Sequence, residues 1–292
     1  MLILLSDAFD ASLPGKLEKF GEVTDDKGRQ SEMEVVLIRS KTKVTREYID
    51  ASPNLKLVIR GGVGLDNVDQ VYAKEKGIQV FNTAAASSIA VAELAFALMI
   101  ALPNHITAGD RSMREGQWIK KQLKRTELFG KTLGILGMGR IGSEIGKRAK
   151  AFGMQVIAFD PYVKSSDVAE MKTSVDEVLG ASDYISLNMP LTDETTGMIN
   201  KDTLAKCKDG VYLVNTGRGK CVVEEDVVAA LQSGKLAGFG NDVWYSDPPE
   251  NSPLVKEPKV TMTPHIGAST KENLLRIGEI IEQLVGEYVG KK

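Results

Sequence analysis

Only two histidines occur among the 292 residues of the chain, and one of them is well placed for proton transfer. His265 lies in Met-Thr-Pro-His-Ile-Gly, directly after an apolar run typical of a strand. Histidine readily exchanges a proton near neutral pH, so it is the natural proton donor when a carbonyl is reduced. His105 follows Pro-Asn and has no reactive neighbours in sequence. We interpret His265 as the candidate acid–base residue and His105 as structural or solvent-exposed.

An arginine that could bind an anion follows another strand-like run. Arg218 lies in Asn-Thr-Gly-Arg-Gly, and strand ends of this kind face the ligand crevice in open α/β sheets. A guanidinium there can bind a carboxylate and polarise a neighbouring carbonyl. A surface salt bridge is the alternative, and the flanking glycines weigh against it. Asp242 and Asp247 lie between Arg218 and His265. Either could orient His265 and stabilise its imidazolium form, and the spacing does not choose between them.

The strongest local signal is a glycine-rich turn between a strand pattern and a helix pattern. Gly137-Met-Gly139-Arg-Ile-Gly142 has the spacing G-x-G-x-x-G. Gly137 would permit a tight turn, Gly139 would let the backbone approach a pyrophosphate, and Gly142 would let the helix pack on the strand. The helix N-terminus would offer free N–H groups to the phosphates. The pattern predicts a dinucleotide site, and a glycine turn without a ligand is the alternative.

Asp160 indicates which dinucleotide would bind. It ends the next strand pattern, eighteen residues after Gly142, where a carboxylate accepts hydrogen bonds from the adenosine ribose hydroxyls. Its charge would repel a 2′-phosphate, and the following Pro-Tyr adds no cation. We therefore expect NAD rather than NADP.

The elements that must position these residues alternate between short apolar runs and helix-period segments, which is typical of βα units and a parallel sheet. A long helical segment from about Ser87 to Arg114, which Pro103 should kink or divide, separates two series of strands. We predict an α/β protein with two doubly wound parallel-sheet domains, and one large mixed domain is the alternative. The expected strands are Leu2–Leu5, Val35–Ile38, Lys56–Ile59 and Gln79–Phe81, then Leu133–Leu136, Gln155–Phe159, Tyr184–Leu187, Val211–Val214, Gly238–Asp242 and Val260–Met262.

A second glycine cluster and several basic residues point to an anionic ligand. Arg-Gly-Gly62-Val63-Gly64 follows the strand pattern that ends at Ile59 and does not fit the dinucleotide spacing. Its N–H groups could hold a carboxylate, and a plain βα turn is the alternative. Arg39 and the pair Lys120-Lys121 are interpreted as surface charges, some of which could converge on an anionic substrate.

The composition excludes several classes of protein. With 37 basic and 39 acidic residues the net charge is -2, whereas nucleic-acid binders usually have a basic excess. Cys207 and Cys221 are the only cysteines; they cannot form a disulfide framework or a four-ligand zinc site, which favours a reducing cytoplasm and no metal. The longest apolar stretch, Leu94 to Pro103, is shorter than the about 20 residues of a membrane helix. We expect a cytoplasmic protein with neither nucleic-acid nor membrane partners.

Together these motifs resemble the D-isomer-specific 2-hydroxyacid dehydrogenases. The resemblance runs from about Arg39 to Thr270 and also includes Asn82-Thr83 and Val-Ala-Glu-Leu94. Within the family, Arg-Ser-Lys-Thr-Lys-Val44 and Gly-Val-Gly-Leu-Asp-Asn-Val-Asp69 look most like the 3-phosphoglycerate dehydrogenase branch.

The resemblance implies two domains with NAD and substrate in the cleft between them. Residues 1–99 and 268–292 would form a discontinuous, flavodoxin-like substrate domain, and residues 100–267 a Rossmann NAD-binding domain inserted in it. Relatives are commonly homodimers paired through the NAD-binding domains. Because this core uses nearly all 292 residues, we expect no appended regulatory domain of the kind some phosphoglycerate dehydrogenases carry.

The resemblance also implies roles for single residues. Arg218 would bind the carboxylate and carbonyl of a 2-oxo acid, His265 would donate the proton as NADH delivers hydride to C2, and Asp247 would pair with His265. The family usually has glutamate where this chain has Asp247, so the loop must come closer or the pairing weakens. Substrate contacts are expected from Arg39, Ser40, Gly62, Val63 and Gly64, and cofactor contacts from Thr83, Gly137, Gly139, Arg140, Ile141, Gly142, Asp160, Thr216, Asp242 and Gly267.

The leading functional prediction is an NAD-dependent oxidoreductase that interconverts a D-2-hydroxy acid and its 2-oxo acid. 3-Phosphoglycerate is favoured if Arg39, Ser40 and Lys120 or Lys121 meet to bind a phosphate. A glyoxylate/hydroxypyruvate or broad 2-oxo-acid reductase, which needs fewer cations there, is the alternative. The alternative from another functional class is a noncatalytic NAD-sensing protein. Relatives of that kind carry long extensions for partners, and we expect none here.

Overall fold

The computed structural model describes residues 1–290, which form two compact units. The first consists of Met1–Ala90 and the segment from Ala268 onward, and the second is Val91–Gly267. The resemblance places the first boundary after residue 99, whereas the units divide at Ala90. The reason is a helix shared by both: Ala86 packs in an apolar cluster of the first unit, and Ala95 in one of the second.

Twelve strands and ten α-helices lie within residues 1–290. The strands are β1 (Leu2–Leu5), β2 (Glu22–Thr24), β3 (Val35–Ile38), β4 (Leu57–Arg60), β5 (Gln79–Asn82), β6 (Thr132–Leu136), β7 (Gln155–Phe159), β8 (Glu170–Met171), β9 (Tyr184–Leu187), β10 (Val211–Asn215), β11 (Leu236–Asn241) and β12 (Val260–Met262). The helices are α1 (Leu13–Leu17), α2 (Arg46–Asp50), α3 (Gln70–Glu75), α4 (Ala84–Ala101), α5 (Ile106–Arg114), α6 (Arg140–Ala151), α7 (Val175–Ala181), α8 (Lys201–Ala205), α9 (Glu224–Ser233) and α10 (Lys271–Gly290).

The first unit is built on a five-stranded parallel sheet with the order β2-β1-β3-β4-β5. Its three inner strands, β1, β3 and β4, read as apolar runs because both faces are covered: Val36 belongs to an apolar cluster on one face and Val35 to a cluster on the other. On the second face α10 contributes Ile277 and Ile281, at the spacing of one helical stripe. The strand order is flavodoxin-like, and it reverses between β1 and β3.

The second unit is built on a seven-stranded parallel sheet with the order β12-β11-β10-β9-β6-β7-β8. This is the doubly wound Rossmann arrangement, in which the order reverses between β6 and β9. Ligands of such sheets bind beyond the carboxyl ends of the strands at this reversal. The predicted fold class, two doubly wound parallel-sheet α/β domains, is confirmed.

The long helical segment is divided near Pro103, as the sequence predicts, into α4 and α5. By length and composition α4 could span a membrane, with a mean hydropathy of 1.9 over 18 residues, but 56% of it is buried in the protein. Ala92 and Met99 are fully buried in the apolar cluster of the second unit. A core helix that is apolar on all sides meets the same criteria, and we interpret α4 as one.

Candidate active site

The glycine-rich turn connects β6 to α6 at the point where the strand order of the second unit reverses. Gly137 has φ +92°, and a Cβ there would lie 2.8 Å from the backbone of Asn188, which follows β9. At Gly142 a Cβ would overlap the carbonyl oxygen of Gly137. At Gly139, by contrast, a Cβ would meet nothing within 4 Å. Packing inside the protein therefore requires glycine at positions 137 and 142. At Gly139 the backbone is open, so a ligand can approach it.

Asp160 follows β7 at the edge of a cavity of about 480 Å³ that also includes Gly137 and Gly139. Its Oδ2 accepts a hydrogen bond from the Met138 amide at 2.9 Å, and its Oδ1 accepts one from the Tyr162 amide at 2.8 Å. These bonds hold the carboxylate in place at the cavity edge, where it can still accept bonds from ribose hydroxyls. A larger cavity of about 660 Å³, beside α9, contains none of the candidate residues.

These residues fit NAD. The Thr216 hydroxyl, just beyond β10, is buried and has no hydrogen-bond partner among residues 1–290, so a ligand there would satisfy it. The cavity beside Asp160 is lined by neither lysine nor arginine in the described part of the chain, so nothing in its lining would neutralise a 2′-phosphate. Arg140 and Ile141 begin α6, whose first N–H groups lie next to Gly139. In the first unit the buried Thr83 hydroxyl also has no partner among these residues.

Arg218 extends from a loop that its neighbours hold tightly. The buried Asn215 side chain donates to the Arg218 carbonyl at 3.0 Å and accepts from the Gly217 amide at 3.1 Å. At Gly219 a Cβ would overlap the backbone of Trp244, so only glycine fits. The Arg218 backbone is therefore fixed on both sides at the carboxyl end of β10. Its guanidinium Nη1 donates to the Gly217 carbonyl at 2.8 Å.

His265 and Asp247 are paired in the second unit. His265 Nδ1 and Asp247 Oδ2 lie 2.5 Å apart, and both side chains are partly exposed. Of the two carboxylates that the sequence leaves open, the structure therefore brings Asp247 to the histidine. His265 has φ +55°, a left-handed conformation that is unusual for a residue other than glycine. Such strain persists only where the surroundings impose it, and it is often found at functional sites.

Asp242 supplies that restraint. This buried carboxylate accepts hydrogen bonds from the Thr263 hydroxyl at 2.6 Å, the Ile266 amide at 2.8 Å and the Gly267 amide at 2.9 Å. The three donors surround His265 in sequence. Besides the predicted cofactor contact, Asp242 therefore holds the loop that carries His265, a role that the sequence pattern does not indicate.

In the first unit the glycine cluster after β4 differs in one respect from its expected role. Gly62 donates its N–H to the Arg60 carbonyl at 2.9 Å, so an anion would rely on the amides of Val63 and Gly64. Gly62 has φ +152°, and a Cβ there would overlap the guanidinium of Arg60. The Arg60 guanidinium therefore lies against the glycine cluster.

Arg60 also joins this cluster to the loop after β3. Its Nη2 donates to the Ser40 hydroxyl at 3.3 Å. The neighbouring Arg39 is largely removed from solvent, its Nε has no hydrogen-bond partner within residues 1–290, and burial lowers its pKa against the opposing charge of Asp7. The structure thus places the Arg60 guanidinium at Ser40, and Arg39 precedes Ser40 in the same loop. Arg60 is not among the site residues that the sequence predicts, although a charged residue at the end of a buried strand is a signal that could have identified it.

Three candidates from the sequence remain: Lys120, Lys121 and His105. Lys120 and Lys121 are exposed in the second unit. The ring of His105 bonds to the Lys124 carbonyl at 2.9 Å, in keeping with a structural role.

Comparison with known proteins identifies the family. Residues 96–267 match the model of the D-isomer specific 2-hydroxyacid dehydrogenase NAD binding domain. The chain belongs to this family of NAD-dependent oxidoreductases.

Three similar proteins illustrate the match. The hydroxypyruvate reductase of Thermotoga maritima is 47% identical over 88% of this chain and 85% of its own length. The D-3-phosphoglycerate dehydrogenase of Methanocaldococcus jannaschii is 39% identical over 97% of this chain and 56% of its own length. A D-lactate dehydrogenase from Aquifex aeolicus, solved with NAD and lactic acid, superposes with a TM-score of 0.89 at 31% identity over 100% of this chain and 96% of that one. The chain thus spans only about half the length of phosphoglycerate dehydrogenases that it matches.

Proposed function

We propose that this protein interconverts a D-2-hydroxy acid and its 2-oxo acid, with His265 as the acid–base residue. The observation that carries the proposal is the His265–Asp247 pair, 2.5 Å apart on a loop restrained by Asp242. A histidine held by a carboxylate at one ring nitrogen has a defined orientation at the other. Because Nδ1 faces Asp247, Nε2 is the nitrogen that would face the substrate. It would give a proton to the carbonyl oxygen in reduction and take one from the hydroxyl in oxidation.

The substrate carboxylate would be bound by fixed donors. In the second unit, Arg218 offers a guanidinium on a loop that Asn215 and Gly219 hold rigid. Within the first unit, the amides of Val63 and Gly64 are donors available to an anion. Bound NADH would supply the hydride to C2. Donors that are already in place lower the barrier because little reorganisation is needed during the reaction.

For the substrate we propose 3-phosphoglycerate and its 2-oxo partner. Binding one carboxylate does not require Arg39, Ser40 and Arg60 together. Arg39 is desolvated and Arg60 reaches Ser40, which is the kind of surrounding that binds a phosphate in several hydrogen bonds. The relatives named D-3-phosphoglycerate dehydrogenase support this choice.

The second candidate substrate is hydroxypyruvate. It is favoured by the 47% identity to a protein named hydroxypyruvate reductase, which this chain matches over 85% of that protein's length. Such an activity would leave Arg39 and Arg60 without a phosphate to bind.

A kinetic panel tests both candidates. With NADH, we would measure kcat/KM for 3-phosphohydroxypyruvate, hydroxypyruvate, glyoxylate and pyruvate, in the wild type and in Arg39→Met. The proposal expects the phosphorylated acid to be preferred, and Arg39→Met to lower its kcat/KM at least about tenfold while sparing glyoxylate. Preference for hydroxypyruvate with no effect of Arg39→Met would support the second candidate. Tight NADH binding without turnover of any acid would point to a noncatalytic sensor.

We further propose a homodimer paired through the NAD-binding domains. Two aromatic side chains of the second unit are largely exposed, Trp118 at 78% and Phe129 at 75%, and aromatic residues are enriched at protein–protein interfaces. Sedimentation of the wild type and of Trp118→Glu would test this: a dimer that becomes a monomer in the variant supports it, and a wild-type monomer contradicts it. The cytoplasmic location stays a prediction.

A further inference from the structure

The first unit has its own reversal of strand order, between β1 and β3, and side chains from three strand ends meet there. In parallel sheets such a reversal opens a crevice beyond the carboxyl ends of the strands. Asp7 follows β1, the segment Arg39–Thr42 follows β3, and Asn67 follows the glycine cluster after β4. We call Arg39–Thr42 the switch-point loop.

The Asp7 carboxylate accepts hydrogen bonds from the switch-point loop. Its Oδ2 accepts hydrogen bonds from the Arg39 amide at 2.6 Å and the Thr42 amide at 3.1 Å, and its Oδ1 accepts one from the Thr42 hydroxyl at 2.7 Å. Burial works against the charged carboxylate, but these hydrogen bonds outweigh it and hold the pKa of Asp7 below its usual value. One carboxylate thus fixes both ends of a four-residue loop.

The Asn67 side chain donates hydrogen bonds to carbonyl groups of the same loop. Its Nδ2 donates to the Arg39 carbonyl at 2.8 Å and to the Thr42 carbonyl at 2.6 Å. The Asn67 backbone is itself anchored, since its carbonyl accepts from the Val44 amide at 2.8 Å. At both Arg39 and Thr42, the backbone amide therefore donates to Asp7 and the backbone carbonyl accepts from Asn67.

We propose that Asp7 and Asn67 are positioning residues that together fix the switch-point loop, so that Arg39 and Ser40 are presented to the distal anionic group of the substrate. The inference rests on the proposed function for the identity of that group. Asp7 and Asn67 do not themselves contact the substrate. They select substrates with a second anion because a loop free to move would lose the entropy of ordering on each binding event. A 2-oxo acid without a second anion would not use the loop.

The proposal predicts the effect of four variants. Asp7→Ala and Asn67→Ala remove the two sets of hydrogen bonds. Asp7→Asn is the conservative variant, since its Oδ1 can still accept from both amides and its Nδ2 can donate to the Thr42 hydroxyl. Asp10→Ala is the matched control, because within residues 1–290 the Asp10 carboxylate accepts hydrogen bonds only from Ser12 in its own turn.

Amide hydrogen exchange on the free protein measures the loop without any substrate. We expect the Arg39 and Thr42 amides to exchange at least about tenfold faster in Asp7→Ala and Asn67→Ala, and close to the wild-type rate in Asp7→Asn and Asp10→Ala. The amide of Leu37, inside β3, should exchange at the wild-type rate in every variant. Unchanged protection of Arg39 and Thr42 in both alanine variants would overturn the proposal.

Steady-state kinetics then measures specificity. KM for 3-phosphohydroxypyruvate should rise about tenfold in Asp7→Ala and Asn67→Ala, with kcat and the KM for glyoxylate unchanged. In Asp7→Asn, the KM for 3-phosphohydroxypyruvate should stay close to its wild-type value. An equal rise in KM for both acids would mean a general structural defect and would also overturn the proposal. If the wild type shows no preference for the phosphorylated acid, the proposed substrate is wrong, and the exchange rates still decide whether Asp7 and Asn67 fix the loop.

Discussion

Nδ1 of His265 lies 2.5 Å from Oδ2 of Asp247, eighteen residues earlier in the chain. Aspartate is shorter than the glutamate usual in the family, yet it reaches the histidine. The pairing that the shorter side chain places in question is therefore made in this chain.

Asp247→Asn should lower kcat. The Asp247 carboxylate pairs with Nδ1 of His265 and so fixes which ring nitrogen faces the substrate. An amide in its place can turn either its oxygen or its NH2 group toward the ring, so it no longer fixes the orientation and tautomer of His265. We expect kcat to fall at least about tenfold, with little change in KM for NADH. The measurement is steady-state kinetics at saturating NADH.

Two further variants control this experiment. Glu250→Gln removes an exposed carboxylate from the same loop and should leave kcat unchanged. Asp247→Glu restores the residue usual in the family and should retain most of the wild-type kcat. A kcat in Asp247→Asn equal to that of the wild type would exclude the proposed role of Asp247.

Asp242→Asn should reveal whether this residue acts mainly on the loop or on the cofactor. The amide group cannot accept from all three donors that the carboxylate binds, so one buried N–H or hydroxyl loses its partner, at about 1–3 kcal/mol. We expect a lower melting temperature and a reduced kcat, with little change in KM for NADH. A higher KM for NADH at unchanged stability would instead assign Asp242 to the cofactor. Asp209→Asn, at an exposed carboxylate, is the control.

Most of the sheet could be predicted from the sequence, because buried parallel strands are short runs of apolar residues. β1, β3, β7, β9 and β12 begin and end where predicted. The two strands that were missed, β2 and β8, lie at sheet edges. Edge strands are short and partly exposed, so Glu22-Val-Thr and Glu170-Met lack the apolar run that marks a buried strand.

The candidate site was predictable only in part, for a physical reason. Gly137, Asp160, Arg218 and His265 stand at strand ends, and the sequence marks a strand end locally. Which of two carboxylates pairs with His265, and which side chains brace the loops, depends on strand order. Asp7 and the Arg39 amide are adjacent because β1 and β3 are neighbours in the sheet, and no local pattern encodes that neighbourhood.

Gly139→Ala and Gly142→Ala should separate cofactor binding from folding. At Gly139 a Cβ meets nothing within 4 Å, so Gly139→Ala should fold with near wild-type stability and bind NADH at least about tenfold more weakly. At Gly142 a Cβ overlaps the Gly137 carbonyl oxygen, so Gly142→Ala should lower the melting temperature. Fluorescence titration with NADH and thermal denaturation measure the two effects. Wild-type NADH affinity in Gly139→Ala would contradict the close approach of a pyrophosphate to this turn.

Tyr184→Phe should stabilise the protein. Tyr184 lies on β9 within an apolar cluster that includes Leu98 and Leu128, and its hydroxyl has no hydrogen-bond partner among residues 1–290. Burial raises the pKa of this hydroxyl, so it stays neutral, but the unmet hydrogen bond remains. Removing the Tyr184 hydroxyl should increase the free energy of unfolding by about 1 kcal/mol, measured by urea denaturation. Tyr212→Phe is the matched control, because its ring stacks on Tyr184 with centroids 4.9 Å apart and its hydroxyl is not buried without a partner. Loss of stability in Tyr184→Phe would show that the hydroxyl is hydrogen-bonded in solution.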